Sequence, residues 1–147
     1  MEKLILEQNK DDFYILEVND KGDTIEFDLT DISLAEKIMN ASEKIKEIDT
    51  KTKEKVLELD KKTDNKIELT KEIIKLEKEQ AKEMRKAFDS FLGDGACQKI
   101  FGDKNRYGQF DELMEALQPH FNKMIMKLDK AKRKLANKYL LKDSDVL

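Results

Sequence analysis

The sequence predicts a mainly helical protein of the α+β class, in which a small N-terminal β-hairpin precedes long amphipathic helices. Two short apolar runs near the N-terminus flank a turn-rich loop, as the strands of a hairpin do. Charged residues make up 41% of the chain and apolar residues 39%, with one proline, which is typical of long solvated helices. At 147 residues, the chain has the length of one domain, or of a small domain with a helical extension.

The hairpin is predicted from residues 13–18 and 24–29, which flank the glycine-containing loop 19–23. Because side chains alternate along a strand, each of three sets of residues has its side chains on one face of its strand. These sets are Phe13, Ile15 and Glu17; Tyr14, Leu16 and Val18; and Ile25, Phe27 and Leu29. An isolated hairpin is only marginally stable, so we expect it to pack against a helix.

A long helix is predicted after the hairpin. Ser33 and Glu36 form a capping-box pattern at its start. No proline or glycine occurs in residues 31–92, so one helix could run to the end of that range. Breaks near residues 50–52 or 63–65 are the alternatives, because Thr, Asp and Asn side chains compete for backbone hydrogen bonds.

This helical tract contains an eleven-residue repeat, which averages about 3.67 residues per turn and favours a nearly straight packing seam. Its seam positions in the three copies are Ile45, Ile48 and Thr52; Val56, Leu59 and Thr63; and Ile67, Thr70 and Ile74. The stripe continues through Ala81, Met84, Phe88 and Phe91. Because it is narrow and rich in threonine, it needs the C-terminal helix, a second copy of the chain or a client protein to cover it.

We divide the chain into an N-terminal hairpin with the start of the first helix (residues 1–42), a charged helix (43–87) and a C-terminal helical region (88–147). The last helix is predicted from Gln109 onwards. Pro119 interrupts its pattern, so we expect a kink or a break near residues 117–118. Its apolar stripe comprises Phe110, Leu113, Leu117, Phe121, Met124, Leu128, Ala131 and Leu135.

The segment that joins the two helical regions, residues 88–102, is named the knuckle here. It holds three phenylalanines and three of the five glycines of the chain. Gly93 is interpreted as a helix C-cap, Gly95 as a turn or N-cap residue, and Gly102 as the end of a short helix at 96–101. The apolar side chains expected to anchor this turn are Phe88, Phe91, Ile100 and Phe101.

Residues that could carry catalysis or bind a metal or cofactor are scarce, so we expect no enzyme, no metal site and no cofactor. Cys97 and His120 are the only residues of their types, which excludes an intramolecular disulfide and makes a metal site or a Cys-His pair improbable. The sequence Gly93-Asp94-Gly95 lacks the spacing and the lysine of a phosphate-binding loop.

Charge is distributed unevenly. Residues 1–42 hold eleven acids and four lysines, a net charge of −7, and residues 127–147 have a net charge of +4. The two ends could pair head to tail, or both could be solvated surfaces. The basic segment 127–138 has no interleaved aromatic residues, which disfavours nucleic-acid binding. No apolar run is long enough for a membrane span, so we expect a soluble, intracellular protein.

Two stretches resemble the tail assembly chaperones of tailed phages and prophages of Gram-positive bacteria. The first is the order Phe88-Asp89, Phe91, Leu92-Gly93-Asp94-Gly95 and Lys99-Ile100-Phe101-Gly102, which is similar to the family phrase FFD..FGEG...K.FG. The second is Ile25-Glu26-Phe27-Asp28 with the helix that follows. The match is confined to residues 25–38 and 88–102, and Asp94 stands where the family often has Glu.

The resemblance implies a non-enzymatic protein of the host cytoplasm that binds the tape measure protein, keeps it soluble and helps to recruit tail tube subunits. It also implies that a longer, frameshifted form is commonly made. Under this reading, the expected client contacts are Ile45, Ile48, Val56, Leu59, Ile67 and Ile74, with Met114, Met124 and Met126 as further candidates.

Other readings remain open. The same apolar residues could pack against each other within one chain or in a homo-oligomer. The protein would then be a structural coiled-coil scaffold or virion protein. A third alternative is a small nucleic-acid binder that uses residues 127–138.

Overall fold

A computed structural model of the protein describes the backbone of residues 1–145 and the side chains of residues 1–130, 132, 133 and 137. Within the described backbone, two strands and four α-helices follow one 3-10 turn at Lys10–Asp12, which confirms the predicted α+β class. The elements are β1 (Phe13–Glu17), β2 (Thr24–Asp28), α1 (Leu34–Lys62), α2 (Lys66–Leu92), α3 (Ala96–Phe101) and α4 (Gln109–Asp145).

The hairpin forms where the sequence predicts it. The strands β1 and β2 pair antiparallel, with Tyr14 opposite Phe27 and Leu16 opposite Ile25. Ile25 and Phe27 are buried, which makes the face with Tyr14 and Leu16 the inner one. In the connecting loop, the side-chain carbonyl of Asn19 accepts hydrogen bonds from two backbone N–H groups of the turn. This Asx-type bonding closes the loop and supports the expected turn.

The start of α1 differs from the predicted capping box. Ser33 occupies the N-cap position but makes no side-chain capping bond, and its backbone is already helical (φ −82°, ψ −4°). A capping side chain needs an extended backbone to turn back towards the helix. Asp31 serves instead: it accepts from the Ser33 N–H at 2.9 Å and from Lys37 at 3.2 Å. These bonds lower the pKa of the Asp31 carboxyl.

The long helical tract is interrupted at residues 63–65, one of the two breaks that the sequence left open. Asn65 caps the second helix, because its side chain accepts a hydrogen bond from the N–H of Ile67 at 3.0 Å. No break occurs at residues 50–52. There the Thr52 hydroxyl donates to the Ile48 carbonyl at 2.9 Å, which is compatible with a continuous helix.

The break turns α1 and α2 into a helical hairpin whose two members contact each other. The first two copies of the repeat supply the inner face of α1. The third copy lies on α2, where Ile67, Thr70 and Ile74 are exposed. The predicted single seam is therefore wrong at its third copy, because the chain reverses after Thr63. Its expected continuation through Ala81, Met84, Phe88 and Phe91 is buried. The buried residues of α2 are Ala81, Met84, Ala87, Phe88, Phe91 and Leu92, and its half-buried residues include Leu69, Ile73, Leu76 and Gln80.

The chain forms two compact units, Met1–Tyr107 and Gly108–Leu147, so the sequence segment 88–147 is divided after the knuckle. The second unit consists of α4. Of the kink or break expected near residues 117–118, the break does not occur, since α4 continues through Pro119. A proline inside a helix loses its own N–H bond and crowds the preceding turn, while the other hydrogen bonds of a 37-residue helix remain.

The apolar stripe of α4 is confirmed as far as residue 128. Leu113, Leu117 and Met124 are buried, and the remaining members up to Leu128 are half-buried. The expected stripe residues Ala131 and Leu135 lie outside the described side chains.

Candidate functional site

The knuckle forms the turn that its glycines predict. Gly93 ends α2, and its N–H donates to the Asp89 carbonyl at 3.0 Å. Its backbone (φ 111°, ψ 154°) lies in a region that is essentially restricted to glycine. Gly95 takes a left-handed conformation (φ 76°) as the N-cap of α3, and Gly102 ends α3. These three expected roles are confirmed.

The aromatic anchors of the knuckle are buried to different degrees. Phe88 and Phe91 are buried, and their ring centroids lie 5.8 Å apart. Ile100 and Phe101, which were expected to pin the turn in the same way, are only half-buried. The phenylalanines of α2 therefore anchor the knuckle more firmly than the apolar residues of α3 do.

The carboxylate of Asp89, a residue of α2, caps the N-terminus of α3. Gly95 has no side chain to cap the helix, and Asp89 Oδ1 accepts a hydrogen bond from the Cys97 N–H at 2.9 Å. Burial raises the pKa of the Cys97 thiol to about 12, and the hydrogen bond and charge of Asp89 add to the shift. The thiol is therefore protonated at neutral pH and is a poor nucleophile.

Arg85 is a residue that the sequence analysis missed. Its guanidinium donates to Asn105 Oδ1 and to the Lys104 carbonyl, both at 2.9 Å, and lies 5.7 Å from the Phe101 ring centroid. It thereby ties α2 to α3 and the loop after it. One feature of the sequence could have indicated this role. Arg85 is an arginine in a tract of lysines, and a planar guanidinium can donate to several fixed acceptors at once.

The hairpin loop is bonded to the knuckle. Asn19 Nδ2 donates to the Lys99 carbonyl at 2.9 Å, and Lys99 Nζ donates to the Thr24 carbonyl at 3.1 Å. A cleft of about 340 Å³ lies here, with Ile25 from the hairpin and Leu92 from α2 among its lining residues. The two stretches that carry the sequence resemblance therefore meet in the folded chain.

The six expected client contacts fall into two groups. On α1, Ile48 is only 2% exposed, and Ile45, Val56 and Leu59 are half-buried on the face towards α2. On α2, by contrast, Ile67 is 70% exposed and Ile74 is 42% exposed. The α1 group thus packs within the chain, and only the α2 group is on the surface.

The three candidate methionines of α4 are equally mixed. Met124 is buried, Met114 is half-buried and Met126 is exposed. Among these, Met126 is the one whose side chain is available to a partner.

The described residues contain neither a metal-binding cluster nor a membrane span. No group of three or more His, Cys, Asp or Glu side chains among them is placed to hold a metal ion. None of the helices in the same part of the chain has the length and apolar character needed to cross a membrane.

Comparison with known proteins gives one match. The model of a family described as "Family of unknown function (DUF6673)" matches residues 21–144. No curated protein and no solved structure matches the chain.

Proposed function

The chain belongs to DUF6673, a family of unknown function, and we propose that it is a tail assembly chaperone that binds the tape measure protein. In this role, it keeps the tape measure protein soluble and helps to recruit tail tube subunits during tail morphogenesis. The protein would act in the host cytoplasm and without enzymatic activity.

The observation that carries the proposal is the meeting of the two resembling stretches. Residues 25–38 and 88–102 are distant in sequence, yet Ile25 and Leu92 line one cleft. Lys99, which belongs to the signature phrase, bonds to the carbonyl at the start of β2. A signature whose parts form one packed unit supports a resemblance of folded structures over a chance likeness of two short segments.

An exposed apolar row on α2 supports client binding. Ile67 and Ile74 are seven residues apart and therefore lie on the same side of the helix. Exposed lysines at positions 71 and 78 follow Ile67 and Ile74 by four residues each, so they lie beside these isoleucines on α2. A long helical client with an apolar stripe could lay that stripe along this row, in the helix-in-groove mode of recognition.

Co-expression with the tape measure protein tests the proposal. The wild-type chain should raise the soluble fraction of the tape measure protein and co-purify with it. A double variant, Ile67→Asp with Ile74→Asp, should lose most of this effect and still fold. Ile32→Asp is the matched control, because Ile32 is equally apolar and 98% exposed but lies outside α2.

The contrary outcome is also specific. If the wild-type chain forms a stable homo-oligomer, does not bind the tape measure protein and is present in mature particles, the structural scaffold role replaces the chaperone role.

A further inference from the structure

The N-terminal segment ahead of the 3-10 turn, residues 2–7, is named the arm here. It has no regular secondary structure, and three consecutive large apolar side chains are almost fully in water. Leu4 is 93% exposed, Ile5 is 72% exposed and Leu6 is 87% exposed. Three adjacent apolar residues favour a strand that is covered on both faces, and contiguous exposed apolar surface marks an interaction site.

The outer edge of β1 is an open site for another strand. The bonds from Val18 N–H to the Asp23 carbonyl and from Leu29 N–H to the Asp12 carbonyl fix which residue pairs are hydrogen-bonded. By alternation, the peptide groups of Tyr14 and Leu16 point towards β2.

The peptide groups of Ile15 and Glu17 consequently point away from β2. Within the part of the chain that the structure describes, they have no hydrogen-bond partner on that side. The Ile15 side chain is 55% exposed. Such an unpaired edge is a template for β-strand addition.

We propose that the arm of a second copy of this chain pairs antiparallel with the outer edge of β1, so that two copies exchange arms and form a dimer. In the pairing that fits best, Lys3 lies opposite Glu17 and Ile5 lies opposite Ile15, while the Phe13 N–H remains bonded to the Lys10 carbonyl. Leu4 and Leu6 then lie on the inner face of the sheet, beside Leu16 and Tyr14.

The register distinguishes a second copy from the same chain. The Asp12 N–H donates to the Asn9 carbonyl at 3.0 Å, which closes a tight turn next to β1. An arm folded back over this turn would place Leu6 opposite Ile15 and Leu4 opposite Glu17, on the solvent side. A slip of one residue moves every side chain to the other face. The arm of a second copy is not held by this turn and can take the register that covers both leucines.

Charge agrees with this assignment. In the proposed register, a lysine of the arm faces a glutamate of the edge, and opposite charges that face each other across two strands are favourable. The exchange also covers Ile15, the most exposed apolar side chain of the hairpin. The inference is independent of the proposed function, because neither the arm nor the β1 edge belongs to the α2 surface assigned to the client.

Light scattering of the full chain tests the dimer. The wild-type protein should have twice the monomer mass of 17.2 kDa. Leu4→Asp with Leu6→Asp should give a monomer whose circular dichroism is unchanged. Ile32→Asp, an equally exposed apolar site outside the arm, should remain a dimer.

A charge exchange tests the register and the second copy together. Lys3→Glu alone and Glu17→Lys alone place like charges opposite each other in their homodimers, and each should weaken dimerisation by about tenfold. An equimolar mixture of the two variants should restore it, because both arm–edge pairs of the heterodimer are then opposite in charge.

Two outcomes would overturn the inference. The first is a monomeric wild-type protein, and protection of its Leu6 and Ile15 amides from hydrogen exchange would then assign the arm to its own edge. The second is a dimer that the arm substitutions leave intact.

Discussion

The Asp89 carboxylate accepts a hydrogen bond from the Cys97 backbone N–H at 2.9 Å, across the turn that separates α2 from α3. This bond provides α3 with the cap that its N-terminal glycine cannot supply. One acidic side chain thus joins the end of the long helix to the start of the short one.

Replacing Asp89 should therefore loosen the knuckle. We expect Asp89→Ala to lower the free energy of unfolding by about 1 kcal/mol, the usual value of a lost helix cap. Asp94→Ala is the control, since Asp94 also belongs to the knuckle but is exposed. Urea unfolding of both variants measures the difference. Equal midpoints for the two would show that the capping bond contributes nothing.

Substitution by asparagine should lower the free energy of unfolding by different amounts at the two glycines that flank Asp94. Asparagine tolerates the left-handed conformation of Gly95, so Gly95→Asn should cost less than about 1 kcal/mol. Gly93 has a conformation that asparagine does not share, so Gly93→Asn should cost roughly 2 kcal/mol. No atom lies within 4 Å of a Cβ built at either site, so the difference reports the backbone alone. Thermal unfolding of both variants checks it.

Stability at alkaline pH should depend on Cys97. Its pKa in the fold is about 12, above the ordinary value of 9.0, so the native state holds the thiol proton more tightly than the unfolded chain. The stabilising contribution is complete below pH 9 and is lost as the pH rises towards 12. In this range, the free energy of unfolding should fall with a slope that approaches about 1.4 kcal/mol per pH unit, the value for one titrating group.

The matched variant for this experiment is Cys97→Ala. It should lose less stability than the wild type between pH 9 and pH 11, even though it is less stable at neutral pH because of the smaller side chain. The pKa of Tyr107 is also raised, by its hydrogen bond to Glu77 and by the charge of that residue. Because Tyr107 is present in both proteins, its contribution to the pH dependence cancels in the comparison. Parallel alkaline losses in the two proteins would refute the assignment to Cys97.

Alanine substitutions on the buried and exposed sides of α1 should differ in their effect on the free energy of unfolding. Ile48 is buried between α1 and α2, so Ile48→Ala should lower the free energy of unfolding by about 2–4 kcal/mol. Leu57 is on the exposed side of α1, and Leu57→Ala should change it by less than about 0.5 kcal/mol. Chemical denaturation resolves these values. A small effect at Ile48 would contradict its role in the helix–helix interface.

The local elements of this fold were predictable because their signals are local. The loop around Asn19 and Gly22 marked the hairpin, and Gly93 and Gly102 marked the ends of helices through their backbone requirements. The capping box at Ser33 failed for a reason that the sequence does not display, since Asp31 supplies the bond instead.

The candidate site was harder to predict, because it depends on contacts between distant residues. The repeat that begins at Ile45 reads as one seam, but the chain turns at residues 63–65 and places its third copy on the outside of α2. The bond between Asn19 and Lys99 spans 80 residues, and no periodicity contains it. The break that Pro119 suggested is absent, since the other backbone hydrogen bonds continue α4 through this residue.

The proposed chaperone role towards the tape measure protein is tested most directly by size-exclusion chromatography with light scattering, applied to the chain co-expressed with that protein. The account predicts a soluble complex that contains both proteins and whose mass exceeds that of either alone. A tape measure protein that aggregates equally with and without this chain, while the chain elutes alone, would contradict it.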